Sequence, residues 1–282
     1  MWKRLAQAAA IAGLAAIISG AFITSSDVAA PQGTVTVISG AFTTSSDVAA
    51  PQGHPEIGVV PHMVIAFLTI ALVLSAAFQG AQRIVASAAV LCLAAAAAIG
   101  WSYPLSPGAA VWHAAFAHLF VACMTVVLIA RSWSGPAVPL DASAHRGLRE
   151  AALITPAAVF AQIVFGALYR HQITGIMPHM LGAMVVALLT MIVSALVLQH
   201  FSQSRELKRA AILLISAVLL QVCLGIAVFM MLLLNLSATA AFVWTATAHV
   251  TTGTLVFAAS VVMAMEAWRH LAPARVAQPA SA

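Results

Sequence analysis

Long apolar runs separated by short polar breaks are the dominant pattern of this chain. A helix needs about 20 apolar residues to cross the hydrocarbon core of a bilayer. The runs do not alternate in polarity, as the strands of a membrane barrel would. They therefore predict an all-α polytopic membrane protein with eight transmembrane helices. The eight runs lack Asp, Glu, Lys and Arg, and they cover residues 5–25, 60–79, 84–101, 109–130, 151–168, 178–199, 210–234 and 242–265.

Composition excludes the soluble and the disordered classes. Hydrophobic residues make up 63% of the 282 residues, charged residues only 7%, and the mean hydropathy is +1.04. Soluble domains carry roughly 25% charged residues, and disordered chains combine low hydrophobicity with high charge. Membrane lipid is therefore the first partner that the sequence predicts.

The basic residues predict the orientation of the helices. If the N-terminus is cytoplasmic, eleven of the twelve Lys and Arg fall on the cytoplasmic side and only Arg170 falls outside. Such a bias is typical of bilayer topology, so the net charge of +5 does not indicate a nucleic-acid partner. We expect an integral protein of a bacterial plasma membrane with both termini in the cytoplasm. The eleven are Lys3, Arg4, Arg83, Arg131, Arg146, Arg149, Arg205, Lys208, Arg209, Arg269 and Arg275.

Two repeats divide the chain. Residues 18–33 and 38–53 match at fifteen of sixteen positions, so the segment 18–53 contains a tandem duplication that lengthens an outer loop. On a larger scale, the last four spans repeat the layout of the first four. We therefore predict two pseudo-symmetric four-helix bundles. Their ranges are 1–130 and 151–268, joined by a cytoplasmic linker 131–150 and followed by a tail 269–282.

Four histidines lie near the outer ends of even-numbered spans: His62, His113, His179 and His249. Ionisable residues inside a membrane usually serve a function. The layout predicts two pairs, His62 with His113 and His179 with His249. Two imidazoles that face each other inside a bundle can be the axial ligands of one haem iron. Zinc suits the site less, because it prefers four ligands and no carboxylate or thiolate lies at this depth. The alternative is a set of core histidines that are hydrogen-bonded across helices.

Other polar residues accompany the second pair. Gln162 and Gln221 each begin a Gln-x-x-x-Gly sequence, which can either bond across helices or simply pack. Arg170 and His171 form the basic spot of the outer side, where haem propionates would need a cation. His118 follows His113 by five residues, about 140° around an ideal helix, so we expect it to pack outside the iron site.

Five segments resemble the heme A synthase (cytochrome oxidase assembly) family: VWHAAFAHLFVACMTVV, AQIVFGALYRHQ, MPHMLGAMVVALL, LLQVCLGIAVF and TAHVTTGTLVFAASV. The resemblance covers about residues 5–268 and is strongest in the last five spans. It implies eight helices in two halves, with haem b between His179 and His249 and the substrate haem O between His62 and His113. The implied reaction oxidises a methyl of haem O to the formyl of haem A for cytochrome oxidase. Haem O synthase and oxidase assembly factors are the implied protein partners.

The chain departs from that family at the second span. Family members resemble Glu-x-x-His-Arg there, whereas this chain has Val59 at the acid position and Met63 after His62. Glu56 is the candidate catalytic acid that remains near His62. Three functions stay open: a heme A synthase, a catalytically impaired haem-binding assembly or electron-transfer protein on the same scaffold, and an unrelated membrane cytochrome b.

Overall fold

The protein is all-α, as its sequence predicts. The structure, a computed structural model, describes residues 2–29, 62–70, 83–102, 105–133, 140 and 147–271. Most of the linker, the tail, the second copy of the duplication, Glu56 and Val59 lie outside the described residues. Within the described residues there are eight helices: α1 (Trp2–Ala29), α2 (62–70), α3 (Arg83–Gly100), α4 (Pro107–Ser132), α5 (Leu148–Arg170), α6 (Met177–His200), α7 (Arg205–Leu233) and α8 (Ala240–His270).

The six helices α3 to α8 are long and apolar enough to cross a membrane. In α1, the segment Gln7–Phe22 is a shorter apolar helical stretch. Large side chains such as Leu181, Met184 and Leu188 on α6 are exposed. A soluble protein would bury such a face, whereas lipid tails solvate it. The chain therefore has the architecture of a polytopic membrane protein.

Local sequence explains where several helices begin. Ser106, Ser204 and Thr239 precede α4, α7 and α8, and each side chain accepts a hydrogen bond from the backbone N–H three residues later. These bonds satisfy donors that have no partner within the helix. The connections after α5 and α7 turn on Gln172 and Asn235, both with positive φ. These turns return the chain into α6 and α8.

The helices pack into a closed ring in the second half of the chain. Helix α5 packs on α6, α6 on α7, α7 on α8, and α8 on α5. In the first half, α4 packs on both α1 and α3. Among the described helices, the halves pack together through α1 with α8, α4 with α8, and α4 with α5. The second core includes Val193, Val197, Leu207, Leu214 and Met263, and the first core includes Ala9, Ala89, Phe120 and Met124.

Tryptophans mark both ends of the helix bundle. Trp101, Trp112 and Trp244 are exposed at the end where α3 and α7 finish and α4 and α8 begin. Trp268 is exposed near the opposite end, at the close of α8. Tryptophan side chains favour the two membrane–water interfaces. Their positions therefore agree with a bundle that crosses the bilayer.

Helix α8 extends beyond its predicted apolar run, which stops before Glu266. The Glu266 carboxylate is buried and accepts a 3.0 Å hydrogen bond from the indole N–H of Trp133. The indole pairs one carboxylate oxygen, and the other lies 3.3 Å from His270 Nε2, which lowers the cost of burying the carboxylate. Nearby, the Leu140 backbone N–H donates to the His270 carbonyl at 2.7 Å. These contacts hold parts of the linker against the end of α8.

Candidate functional site

Each even-numbered helix carries one of the four predicted histidines close to its start. His62 is the first described residue of α2, and His113, His179 and His249 lie in the first three turns of α4, α6 and α8. All four therefore lie at the end of the bundle where odd-numbered helices finish. We call it the histidine end.

The structure brings these histidines together in the two predicted pairs. The ring centroids of His62 and His113 are 6.1 Å apart, with an interplanar angle of 59°. Those of His179 and His249 are 6.2 Å apart, with an angle of 84°. The distance between ring centroids is therefore nearly the same in both pairs, so the same arrangement of two histidines occurs twice.

A glycine on the preceding helix lies against every one of the four imidazoles. A Cβ atom at these glycines would lie between 2.9 and 3.2 Å from the Cε1 atom of the facing ring. Real Cβ contacts are rarely so short, so only glycine lets the rings pack this close to the backbone. The facing pairs are Gly20 with His62, Gly100 with His113, Gly166 with His179, and Gly225 with His249.

The sequence interpretation found only half of this pattern. Gly166 and Gly225 stood out through the Gln-x-x-x-Gly sequences, whereas Gly20 and Gly100 have alanine in place of that glutamine and were missed. A glycine near the end of each odd-numbered span is the signal that would have identified all four. The odd-numbered helices supply the glycines, and the even-numbered helices supply the imidazoles that lie against them.

The first pair is hydrogen-bonded through its Nδ1 atoms. Ser19 donates its hydroxyl proton to the Ala16 carbonyl at 2.9 Å, so its oxygen accepts from His62 Nδ1, also at 2.9 Å. His113 Nδ1 donates to the Ala96 carbonyl at 2.9 Å. When the proton of an imidazole lies on Nδ1, the lone pair of the neutral ring lies on Nε2. A metal-bound histidine typically has this arrangement.

Side-chain amides hold the second pair. Gln162 donates from Nε2 to the backbone carbonyl of His179 at 2.7 Å, and the same nitrogen lies 2.9 Å from His179 Nδ1. Gln221 Nε2 lies 3.3 Å from His249 Nε2. The predicted glutamines therefore contact the histidines directly and do more than pack.

Three buried polar atoms around the second pair have no hydrogen-bond partner among the described residues. They are the amide oxygens of Gln162 and Gln221 and the Nδ1 atom of His249. A buried polar group without a partner costs about 1–3 kcal/mol. The second site therefore retains unused hydrogen-bonding and ligating capacity in its interior.

Arg170 is the only basic Lys or Arg of the described residues at the histidine end, as the sequence predicts. Its guanidinium donates to the Ala21 carbonyl at 2.9 Å and to the Ser25 hydroxyl at 2.6 Å, both on α1. It also lies close enough to His249 to act on it electrostatically. The sequence placed Arg170 beside the second pair alone, whereas the structure places it between the halves.

His171 lies just beyond α5, where burial and the charges of Arg170 and His113 lower its pKa to about 4. It is therefore neutral at pH 7, and Arg170 supplies the positive charge of this dipeptide. His118 is buried and donates from Nδ1 to the carbonyl of Ala114 in its own helix, at 2.7 Å. The structure thus buries His118 in the first half and bonds it within its own helix.

Within the described ranges, no group of three or more His, Cys, Asp or Glu could hold a metal ion. The two histidine pairs are thus candidates for a group that needs only two protein ligands. No protein-family model matches this chain, and no curated protein is similar enough to count as a relative.

Proposed function

We propose that this protein is a haem-binding membrane oxidoreductase of the heme A synthase type. It would oxidise a methyl group of haem O to the formyl group of haem A for cytochrome oxidase assembly. The observation that carries the haem proposal is the equal spacing of the two histidine pairs, 6.1 and 6.2 Å between ring centroids. The choice of reaction comes from the sequence resemblance.

The spacing fits one iron between each pair. A metal–imidazole bond is about 2 Å long and a ring nitrogen lies about 1 Å from its ring centre, so two axial imidazoles have centroids about 6 Å apart. The glycines let each ring approach the neighbouring helix closely. The Nδ1 bonds of His62 and His113 leave Nε2 of each ring for iron. The donor set therefore fits a bis-histidine haem.

Helix packing supports two pseudo-symmetric four-helix halves. Under a twofold relation, α1 corresponds to α5 and α4 corresponds to α8. The twofold operation then converts the contact of α1 with α8 into the contact of α5 with α4, and both contacts are present. The contact of α4 with α8 is converted into itself, so it would lie on the twofold axis. The recurring glycine–histidine pairs follow the same relation. In this proposal residues 1–130 bind haem O and residues 151–268 bind haem b.

A bound haem iron supplies the redox chemistry, and the chain holds and orients it. His62 with His113 and His179 with His249 would hold the haem iron, and Arg170 would provide positive charge for the haem propionates. Glu56 is the candidate group for moving protons near His62, since a carboxylate is a competent general acid or base. The proposal also includes cytoplasmic termini, a bacterial plasma membrane, and haem O synthase or oxidase assembly factors as partners.

The departure at Val59 favours a second candidate, a haem-binding assembly or electron-transfer protein without the oxidation. Valine cannot transfer a proton, and loss of an essential acid typically costs about 10²–10⁴ in rate. An unrelated cytochrome b that carries electrons across the membrane would need a histidine pair near each face. Both pairs here lie at one end, which argues against that third candidate.

Haem analysis of cells that make haem O tests the function. The wild-type protein should purify with a bis-histidine haem spectrum, and His249→Ala should lose the haem of the second pair. The exposed His200, at the opposite end of α6, provides the matched control His200→Ala. A spectrum and haem content unchanged in His249→Ala would overturn the haem assignment.

The yield of haem A separates the two leading candidates. We expect weak activity in wild type, a gain in Val59→Glu, and a loss in Glu56→Gln. Extracted haems would be identified by chromatography and mass, since the formyl group changes both. Full wild-type activity that Glu56→Gln leaves untouched would refute a role for a carboxylate near His62. Bound haem with no formyl product in any variant would favour the non-catalytic candidate.

A further inference from the structure

The two histidine pairs differ at one position on each odd-numbered helix. Four residues before the glycine, the first half has Ala16 and Ala96, and the second half has Gln162 and Gln221. Residues four apart lie on the same face of a helix. The same place beside the imidazole is therefore occupied by a methyl group in one half and by an amide in the other.

The amides hold their histidines with side-chain atoms. Gln162 connects α5 to both the ring and the backbone carbonyl of His179 on α6. Gln221 connects α7 to the ring of His249 on α8. In the first half, His62 bonds the Ser19 hydroxyl of α1 and His113 bonds a backbone carbonyl of α3. Side-chain amides therefore hold the second pair, and both amides can be removed by substitution.

Each glutamine also has a matched glycine on the helix of its histidine. Gly182, three residues after His179, lies against the Gln162 amide so closely that a Cβ would collide with its oxygen. Gly253, four residues after His249, lies against the Gln221 amide, where a Cβ would be 3.2 Å from the nitrogen. In the second half, these two glycines therefore leave the space that the amide groups occupy.

We infer that Gln162 and Gln221 are positioning residues that hold His179 and His249 as haem ligands and slow the release of haem from the second pair. The inference rests on the proposed haem function. Mutation of a group that hydrogen-bonds a metal-bound histidine typically lowers the affinity for the metal 10- to 100-fold. The buried amide oxygens lack partners among the described residues, so a half-turn of either amide group would present an acceptor to a ring N–H.

Haem transfer to excess apomyoglobin tests this inference, with absorption as the readout. Wild-type protein should release haem in a fast phase from the first pair and a slow phase from the second. Gln162→Met and Gln221→Met keep side-chain length and remove the amide. Each should accelerate the slow phase about 10- to 100-fold and leave the fast phase unchanged. The control is Gln199→Met on the exposed end of α6.

Nitrogen-15 signals of labelled histidines give a second readout that does not depend on activity. The two Met variants should shift the ring signals of His179 and His249, and Gln199→Met should not. Unchanged signals, or a slow phase at the wild-type rate in both variants, overturn the inference while haem binding stands. Wild-type protein that binds no haem overturns the proposed function and the retention claim together.

Discussion

The guanidinium of Arg170 on α5 donates a 2.6 Å hydrogen bond to the hydroxyl of Ser25 on α1, across 145 residues of sequence. The Ser25 hydroxyl donates in turn to the Ala21 carbonyl at 2.7 Å, so its oxygen is free to accept. Ser25 is almost fully buried. This contact links the two halves at the histidine end, in the first copy of the duplicated segment.

Ser25→Ala should lower the stability of the folded protein. The change removes a hydrogen bond to a charged group, which is worth about 1.5–3 kcal/mol. Thermal unfolding in detergent would measure the loss. Ser102→Ala is the control, because the Ser102 hydroxyl lies at an exposed position just after α3 and bonds the nearby Ile99 carbonyl at the end of that helix. Equal melting temperatures for the two variants would contradict a role for this contact.

Gly225→Ala should displace the His249 ring. The new methyl carbon would lie 3.0 Å from Cε1 of a rigid imidazole, closer than ordinary contacts. Overpacking of this kind costs about 1–3 kcal/mol. We expect altered ring signals for His249, together with weaker haem retention if haem is bound.

The control for this substitution is Gly108→Ala in the first turn of α4, where a Cβ would meet nothing within 4 Å. This variant should behave like wild type in both measurements. A Gly225→Ala protein that matches it would show that the glycine is not needed for ring placement.

Acid should destabilise the fold through His171. Its pKa falls from an ordinary 6.5 in the unfolded chain to about 4 in the folded one, mainly because of burial. Below pH 6.5 the unfolded state therefore binds more protons than the folded state. The free energy of unfolding does not change through His171 above pH 6.5, and it decreases as the pH falls towards 4. The difference in unfolding free energy between wild type and His171→Gln should be constant above pH 6.5, and wild type should lose stability relative to the variant as the pH falls from 6.5 towards 4. A constant difference over this range would refute the assignment.

Deletion of residues 34–53 should leave a folded protein with both histidine pairs intact. The contacts that α1 makes to His62 and Arg170 come from Ser19, Gly20, Ala21 and Ser25, all in the first copy. Changing the length of a surface loop costs only about 0.6 kcal/mol per doubling. Expression yield and thermal unfolding measure the outcome, and loss of folded protein would show that the second copy is required.

The sequence alone determined the helices and the placement of the histidines along them. Each apolar run is long enough to require a helix in lipid, and each short polar break reverses the chain. A residue near the start of every even-numbered span must then lie at the same end of the bundle. This local logic places His62, His113, His179 and His249 at one end of the bundle, where the structure brings them together in two pairs.

Tertiary structure decided which atoms contact those rings. The choice depends on how each helix is rotated about its axis and which neighbour it packs against, and hydropathy carries no information on either. All of these contacts join separate helices. Gly20 and Gly100 lie against His62 and His113, Gln221 contacts His249, and Arg170 donates to Ser25. They follow from side-chain packing between helices, which the order of apolar and polar residues does not specify.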